Sequence, residues 1–203
     1  MTVDMWEGFV TTPLAEVRRR AAIIGEIAEV VPVVVDGAER FAWNDSGGQS
    51  AVWYFTPDGR AMLLTFDHES ELNLYGRGGY PVQESIYRGV PEDLVGLVRN
   101  RPEYYESLNH VDEATGNTIH HAGGVFWFDG EQWREADGLL AYCEEKGLDP
   151  LGESGFMYCT EAYLFGLEFT AESVVESRAY WYDDEAERVA ALAEIREMFA
   201  RHG

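Results

Sequence analysis

The sequence has almost no lysine: Lys146 stands alone beside fourteen arginines in 203 residues. GC-rich coding accounts for this more simply than avoidance of lysine modification, and it points to a bacterial source. Basic residues cluster only at Arg18-Arg19-Arg20, inside an amphipathic stretch. With 15 basic residues against 37 acidic ones, the net charge is −22. Nucleic acid and anionic membrane surfaces repel a protein of that sign, so neither is an expected partner. Cysteine is scarce as well. Cys143 and Cys159 have no C-x-x-C spacing and no Cys/His cluster around them, which suits a reducing cytoplasm better than a disulfide framework. No apolar run approaches the ~20 residues that span a bilayer. The stretch MTVDMWEGFV holds Asp4 and Glu7 and lacks the basic start of a secretory signal. The expectation is a soluble, cytoplasmic protein.

Catalytic signatures are also missing. There is no H-E-x-x-H, no H-x-H and no G-x-S-x-G. LGESGF at 151–156 comes nearest to the last but has the wrong spacing, so Ser154 reads as a turn residue. YGRGGYP at 75–81 is glycine-rich but lacks the phosphate-loop lysine. No cofactor is expected, and the sequence identifies no small-molecule ligand.

What is present is ample apolar material, 46% of residues with 13% aromatic, in a chain of one domain's length. Thr12 and Pro13 open a helix whose apolar face runs Leu14, Val17, Ala21, Ile24, Ala28 and Val31, with the arginines mainly opposite. Val33–Val35 and Phe41–Trp43 read as short strands around Asp36-Gly37. AVWYFTPDGRAMLLTF at 51–66 reads as a hairpin on Thr56-Pro57-Asp58-Gly59, and VFWFDGEQW at 125–133 as a second on Asp129-Gly130. Between them, about residues 82–110, lies a helical insertion with helices expected near 91–101 and 102–108. After 137 the chain turns mostly helical. Asp137 caps a helix that ends at Gly147, Thr160 and Thr170 cap two more, and Asp184 with Glu187 opens a last one carrying Val189, Leu192, Ile195 and Phe199 on one face. The expected fold is a single α+β domain over 1–203: an antiparallel sheet built from hairpins, with helices packed on it. Trp53-Tyr54-Phe55 and Phe126-Trp127-Phe128 must point to both faces of that sheet, so either helices cover both, which the many helices after 137 favour, or one face is an exposed aromatic patch for a small ligand or partner.

Two clusters invite chemistry. Asp67, His68 and Glu69 follow a strand, and His120 and His121 precede the second hairpin. Brought together, they would make a metal-dependent hydrolase, with a metal-bound water and a carboxylate base. Adjacent strand residues point to opposite faces, so only one of His120 and His121 could join. The simpler reading is structural: Asp67 accepts backbone hydrogen bonds in an Asx turn, Ser70 turns the chain, and Leu72 and Leu74 return to the core. No metal is expected. Cys159, near a helix start, would have a lowered pKa, and Cys143 reads as core.

Charge gives the leading functional expectation. From Asp129 to Glu187 there are sixteen acids against Arg134, Lys146 and Arg178, a balance of −13. A basic protein partner is therefore expected, steered by Glu144, Glu145 and Glu153 and anchored by Tyr75, Arg77 and Tyr80 of the glycine loop. Small acidic α+β chains without catalytic signatures are a common form of bacterial immunity and inhibitor proteins. A toxin-neutralising protein is the concrete version of this expectation, and the metal hydrolase is its alternative.

Overall fold

The computed structural model describes residues 5–102 and 108–203. The described residues fall into two compact units. One runs through Pro32, takes in Phe41–Trp43 and resumes at Thr160–Gly203; the other holds Val33–Arg40 and Asn44–Cys159. The fold class is α+β, with a six-stranded antiparallel sheet and a two-stranded one. Among the described residues no helix is long and apolar enough to cross a membrane.

The larger sheet runs β1 (Val33–Val35), β2 (Ala38–Asn44), β3 (Gln49–Phe55), β4 (Ala61–Asp67), β7 (Gly124–Phe128) and β8 (Trp133–Glu135) in that spatial order. Asp36 and Gly37 join β1 to β2 with φ of 48° and 86°, the doubly positive backbone of a tight hairpin turn. Both long hairpins share this sheet, because β4 pairs with β7 from Ala61↔Phe128 to Thr65↔Gly124. The second hairpin turns differently from the two-residue Asp-Gly expectation. Phe128 pairs with Trp133, leaving a four-residue loop in which Asp129 Oδ1 accepts the backbone N–H groups of Glu131 and Gln132 at 2.8 and 2.9 Å.

Alternation sends Trp53 and Phe55 to one face and Tyr54 to the other. Trp53 meets Trp133 edge-on at 6.1 Å, and on the same face Phe126 packs on Phe156 of α7 (Phe156–Thr160) at 5.2 Å. All three residues of the Trp53-Tyr54-Phe55 run are at most 4% exposed, whereas Trp127 and Phe128 of the second run are half-buried, so the expected covering is complete around β3 and partial at the end of β7. Gly124 is required here: a Cβ would lie 2.7 Å from the Phe126 ring and 2.8 Å from Ser154 Cβ.

The insertion is less helical than expected. It holds α3 (Gly79–Ile86) and a short α4 (Glu92–Gly96), then β5 (Asn109–Val111) and β6 (Thr118–His120), which form the small sheet. Three-residue strands carry too little periodicity to be seen in sequence. The helix expected at 102–108 lies mostly outside the described residues. Further on, Asp137 is the first residue of α5 (Asp137–Lys146) and not its cap, which is Ala136; the helix ends on Gly147 at φ 69°, and Leu148 N–H closes back on the Cys143 carbonyl at 2.9 Å, a glycine C-cap. The short α6 (Pro150–Glu153) follows.

In the other unit, α1 (Met5–Thr11) was not foreseen, and α2 spans Leu14–Ile27. Thr12 does not cap α2; its hydroxyl donates to the Gly8 carbonyl at 2.7 Å. The helix stops before Ala28, ahead of Pro32, and leaves Val31 exposed. Arg20 is not on a solvated face. It is 8% exposed and donates to the Tyr163 and Leu164 carbonyls, each at 2.9 Å. Thr170 caps α8 (Ala171–Ser177) in a reciprocal box with Ser173. Thr160 makes no side-chain cap on the 3-10 turn Glu161–Tyr163 that follows it; its hydroxyl faces Met5 Sδ at 3.3 Å. A 3-10 turn, Ala179–Trp181, precedes α9 (Glu185–Arg201). Asp184 caps α9 through the N–H groups of Ala186 and Glu187, while Glu187 reaches back to Asp183 N–H instead of closing the box on Asp184.

Candidate functional site

Asp67 ends β4, is 6% exposed, and accepts Glu69 N–H at 3.1 Å. This is the Asx turn that the residue type permits. His68 lies over Gly48, where any Cβ would collide with its ring, and its Nε2 stands 3.7 Å from exposed Glu69. Ser70 donates to the Glu153 carbonyl and accepts Leu72 N–H, and Leu72 and Leu74 are buried. The stretch is a turn whose polar groups serve the backbone. Among the described residues no three or more His, Cys, Asp or Glu side chains gather as a metal cluster. The hydrolase constellation of Asp67, His68, Glu69 and His120 or His121 is therefore not assembled.

The two adjacent histidines do diverge. His120, at the end of β6, is buried and has the charge of Arg40 acting on it; its carbonyl accepts the Tyr87 hydroxyl at 2.8 Å. His121 is fully buried and turns instead to His110 of β5, ring centres 4.9 Å apart. Sequence reasoning passed over His110, because the β5–β6 pairing that brings it to this place was not visible. Phe66 and Tyr75 complete an aromatic cluster around His121, at 5.2 and 5.7 Å. Gln83 of α3 is buried beside His121, its Oε1 against the ring's Nδ1 and its Nε2 donating to the Ala122 carbonyl at 3.0 Å. Burial pushes the His121 pKa down to about 3, with His110 adding to the shift. Burial likewise lowers His120 to about 3, helped by Arg40, and burial alone lowers His110. All three imidazoles are neutral near pH 7.

Burial disfavours both thiolates. Burial pushes Cys143 up to about 11 and Cys159 up to about 12, and both are free. The expected lowering at Cys159 is overturned: the helix it sits in has five residues, while its Sγ is enclosed and donates to the Phe66 carbonyl at 3.2 Å.

The expected contact residues sit as follows. Tyr75 is 50% exposed and Arg77 is exposed, both on the glycine loop. Tyr80 is buried on α3, its hydroxyl 3.2 Å from Glu84. The outward side chains of that loop are therefore Tyr75 and Arg77. Glu144 and Glu145 are exposed on α5, and Glu153 is half-buried against Glu71 N–H at 3.2 Å.

A surface that the sequence did not single out lies at 176–190. Tyr180 and Trp181 are 80% and 57% exposed and lean on each other with ring centres 5.5 Å apart. Glu176, Asp183, Asp184, Glu185 and Glu187 are exposed around them in sequence, against Arg178 and Arg188. Arg188 is already engaged by Glu176 and Glu185. A signal existed in the run Tyr180-Trp181-Tyr182 just ahead of an acidic helix start, but without the structure it cannot be told from a core strand. In the same unit, a groove of about 360 Å³ is lined by Ala22, Glu26, Val30, Val31 and His202, among others. Arg201 and His202 occupy the Glu26 carboxylate and lower its pKa.

Comparisons with protein families, curated proteins and solved structures returned no match for this chain.

Proposed function

We propose that this protein is a binding module for a basic protein partner, its concrete form being a toxin-neutralising immunity or inhibitor protein. The observation that carries the reading is the exposed Tyr180–Trp181 pair set among carboxylates. Large rings cost free energy in water, and a solvent-facing aromatic pair rimmed by charge is the composition of a protein contact centre. Charge supports it. At least ten of the fifteen basic residues are engaged in ion pairs within the protein, so the remaining carboxylates act outward and attract a basic surface. Glu144, Glu145, Tyr75 and Arg77 remain available to such a partner.

The test is to isolate partners from the source cell and measure association kinetics against salt. A basic partner is expected, with an on-rate that falls steeply as the Debye length shrinks from about 10 Å at 0.1 M to about 3 Å at 1 M salt. Tyr180→Ala with Trp181→Ala is expected to raise the off-rate at least about tenfold, as loss of an aromatic anchor does. A salt-independent on-rate, an acidic partner, or unchanged kinetics in the double variant refutes the reading.

A further inference from the structure

We infer that Tyr180 and Trp181 receive an arginine side chain of the basic partner, its guanidinium lying on the rings and its N–H edge reaching Asp183. The inference rests on the binding-module reading and names the residue type that fills its contact centre. The rings are 80% and 57% exposed, with centres 5.5 Å apart and planes inclined at 38°. Rings so inclined do not lie flat on one another, so both keep π-surface open to solvent. That surface carries the negative side of the ring quadrupole and attracts a cation within about 6 Å of the ring centre.

The same unit pairs its inner rings with guanidinium groups. Arg19 stands over the rings of Phe169 and Phe199 at 5.8 and 5.2 Å, and Arg20 over those of Phe165 and Phe169 at 5.6 and 4.8 Å. Among the described residues no cation stands over Tyr180 or Trp181, although Arg178 and Arg188 are close along the chain. Arg188 is drawn off by Glu176 at 3.1 Å and Glu185 at 3.7 Å. Arg178 serves the pair only through its backbone carbonyl, which accepts Trp181 N–H at 2.9 Å, and it adds one opposing charge. A cation for these rings therefore comes from another molecule.

Charge favours a cationic occupant. In the stretch 176–188, Glu176, Asp183, Asp184, Glu185 and Glu187 stand against Arg178 and Arg188, five acids less two bases, a balance of −3. A second copy of this chain, at −22, is repelled. Of the two cationic side chains, arginine fits the pair. Its planar guanidinium stacks on an aromatic face while its in-plane N–H groups still donate to a carboxylate. Asp183 follows Trp181 by two residues, is exposed, and is in no ion pair among the described residues. Lysine's compact ammonium holds its water more strongly and has no plane to stack.

The experiment titrates the intact, nitrogen-labelled protein with three blocked peptides, Gly-Arg-Gly-Arg-Gly and its lysine and citrulline counterparts, at about 0.15 M salt. Lysine keeps the charge without the plane, and citrulline keeps the plane without the charge. The arginine peptide is expected to bind about threefold tighter than either, the size of an exposed cation–π contact, and to shift the Trp181 indole N–H signal. Trp181→Ala should bring the arginine-to-lysine ratio to about one, and Asp183→Asn should lower the arginine affinity about twofold. Equal binding of the arginine and lysine peptides, an unmoved Trp181 signal, or an arginine preference that survives Trp181→Ala overturns the inference. So does a Trp181-dependent dimer formed without peptide, which would give the rings to a second copy. The two readings fail separately. A basic partner recovered from the cell together with equal peptide binding removes only the arginine anchor. An acidic partner together with a Trp181-dependent arginine preference removes only the module reading.

Discussion

Two runs of three aromatics have opposite fates in this chain. Trp53-Tyr54-Phe55 lies on a strand with neighbours on both sides and is almost wholly buried, while Tyr180 and Trp181 stand in water. The residue types are nearly the same. What differs is the element that carries them. An interior strand delivers successive side chains to two faces, each of which can be covered. A three-residue 3-10 turn ahead of a charged helix has no such faces to offer. Aromatic density therefore marks core in one place and an exposed surface in the other, and position in the fold decides between them.

Truncation is the sharpest way to break this contrast. Trp53→Ala is expected to lower the unfolding free energy by about 3–5 kcal/mol, the usual cost of removing a large buried ring. Urea unfolding measures it, and a loss under about 1 kcal/mol would mean that the ring is not packed as described.

Acid gives a second, smaller separation. His120 and His121 titrate near 3 in the folded protein against an ordinary 6.5, so the unfolded chain takes up their protons first. Their stabilising contribution is complete above about pH 6.5 and is lost progressively as pH falls toward about 3. The loss is at most about 1.4 kcal/mol per pH unit for each group. Unfolding curves between pH 7 and pH 5 should accordingly be steeper in pH for the wild type than for His121→Asn. Equal slopes would show that this imidazole is not held neutral by burial.

The smallest effect belongs to the exposed run. Trp181→Ala should change stability by no more than about 0.5 kcal/mol, as for a surface residue away from the core. A loss comparable to that of Trp53→Ala would mean that Trp181 is a packing residue and not a contact.

Much of the frame was readable in the residues. Pro57-Asp58-Gly59 and the β-rich runs around it announce β3 and β4; Gly147 announces the end of α5. The turn at Asp67 was legible too, because an aspartate followed by a polar loop has a local hydrogen bond to make. Thr12 and Thr160 misled, since a hydroxyl suited to capping also serves a preceding carbonyl or a neighbouring sulfur. Arg20 misled for a different reason. Helical spacing placed it on the polar side, yet two carbonyls distant in sequence give its guanidinium partners inside.

The sequence by itself determined the net charge, the hairpins, the α+β class and the absence of familiar catalytic spacings. These depend on composition, turn chemistry and periodicities of a few residues. Only the tertiary structure decided which polar groups meet. It separated His120 from His121, turned His121 toward His110, and set Gln83 against its ring. It buried Cys159 deeply enough to outweigh its place in a helix, and it left Tyr180 and Trp181 in water. The physical reason is common to all of these. Desolvation and hydrogen-bond partnership depend on neighbours brought from far along the chain, and no local pattern encodes which neighbours those will be.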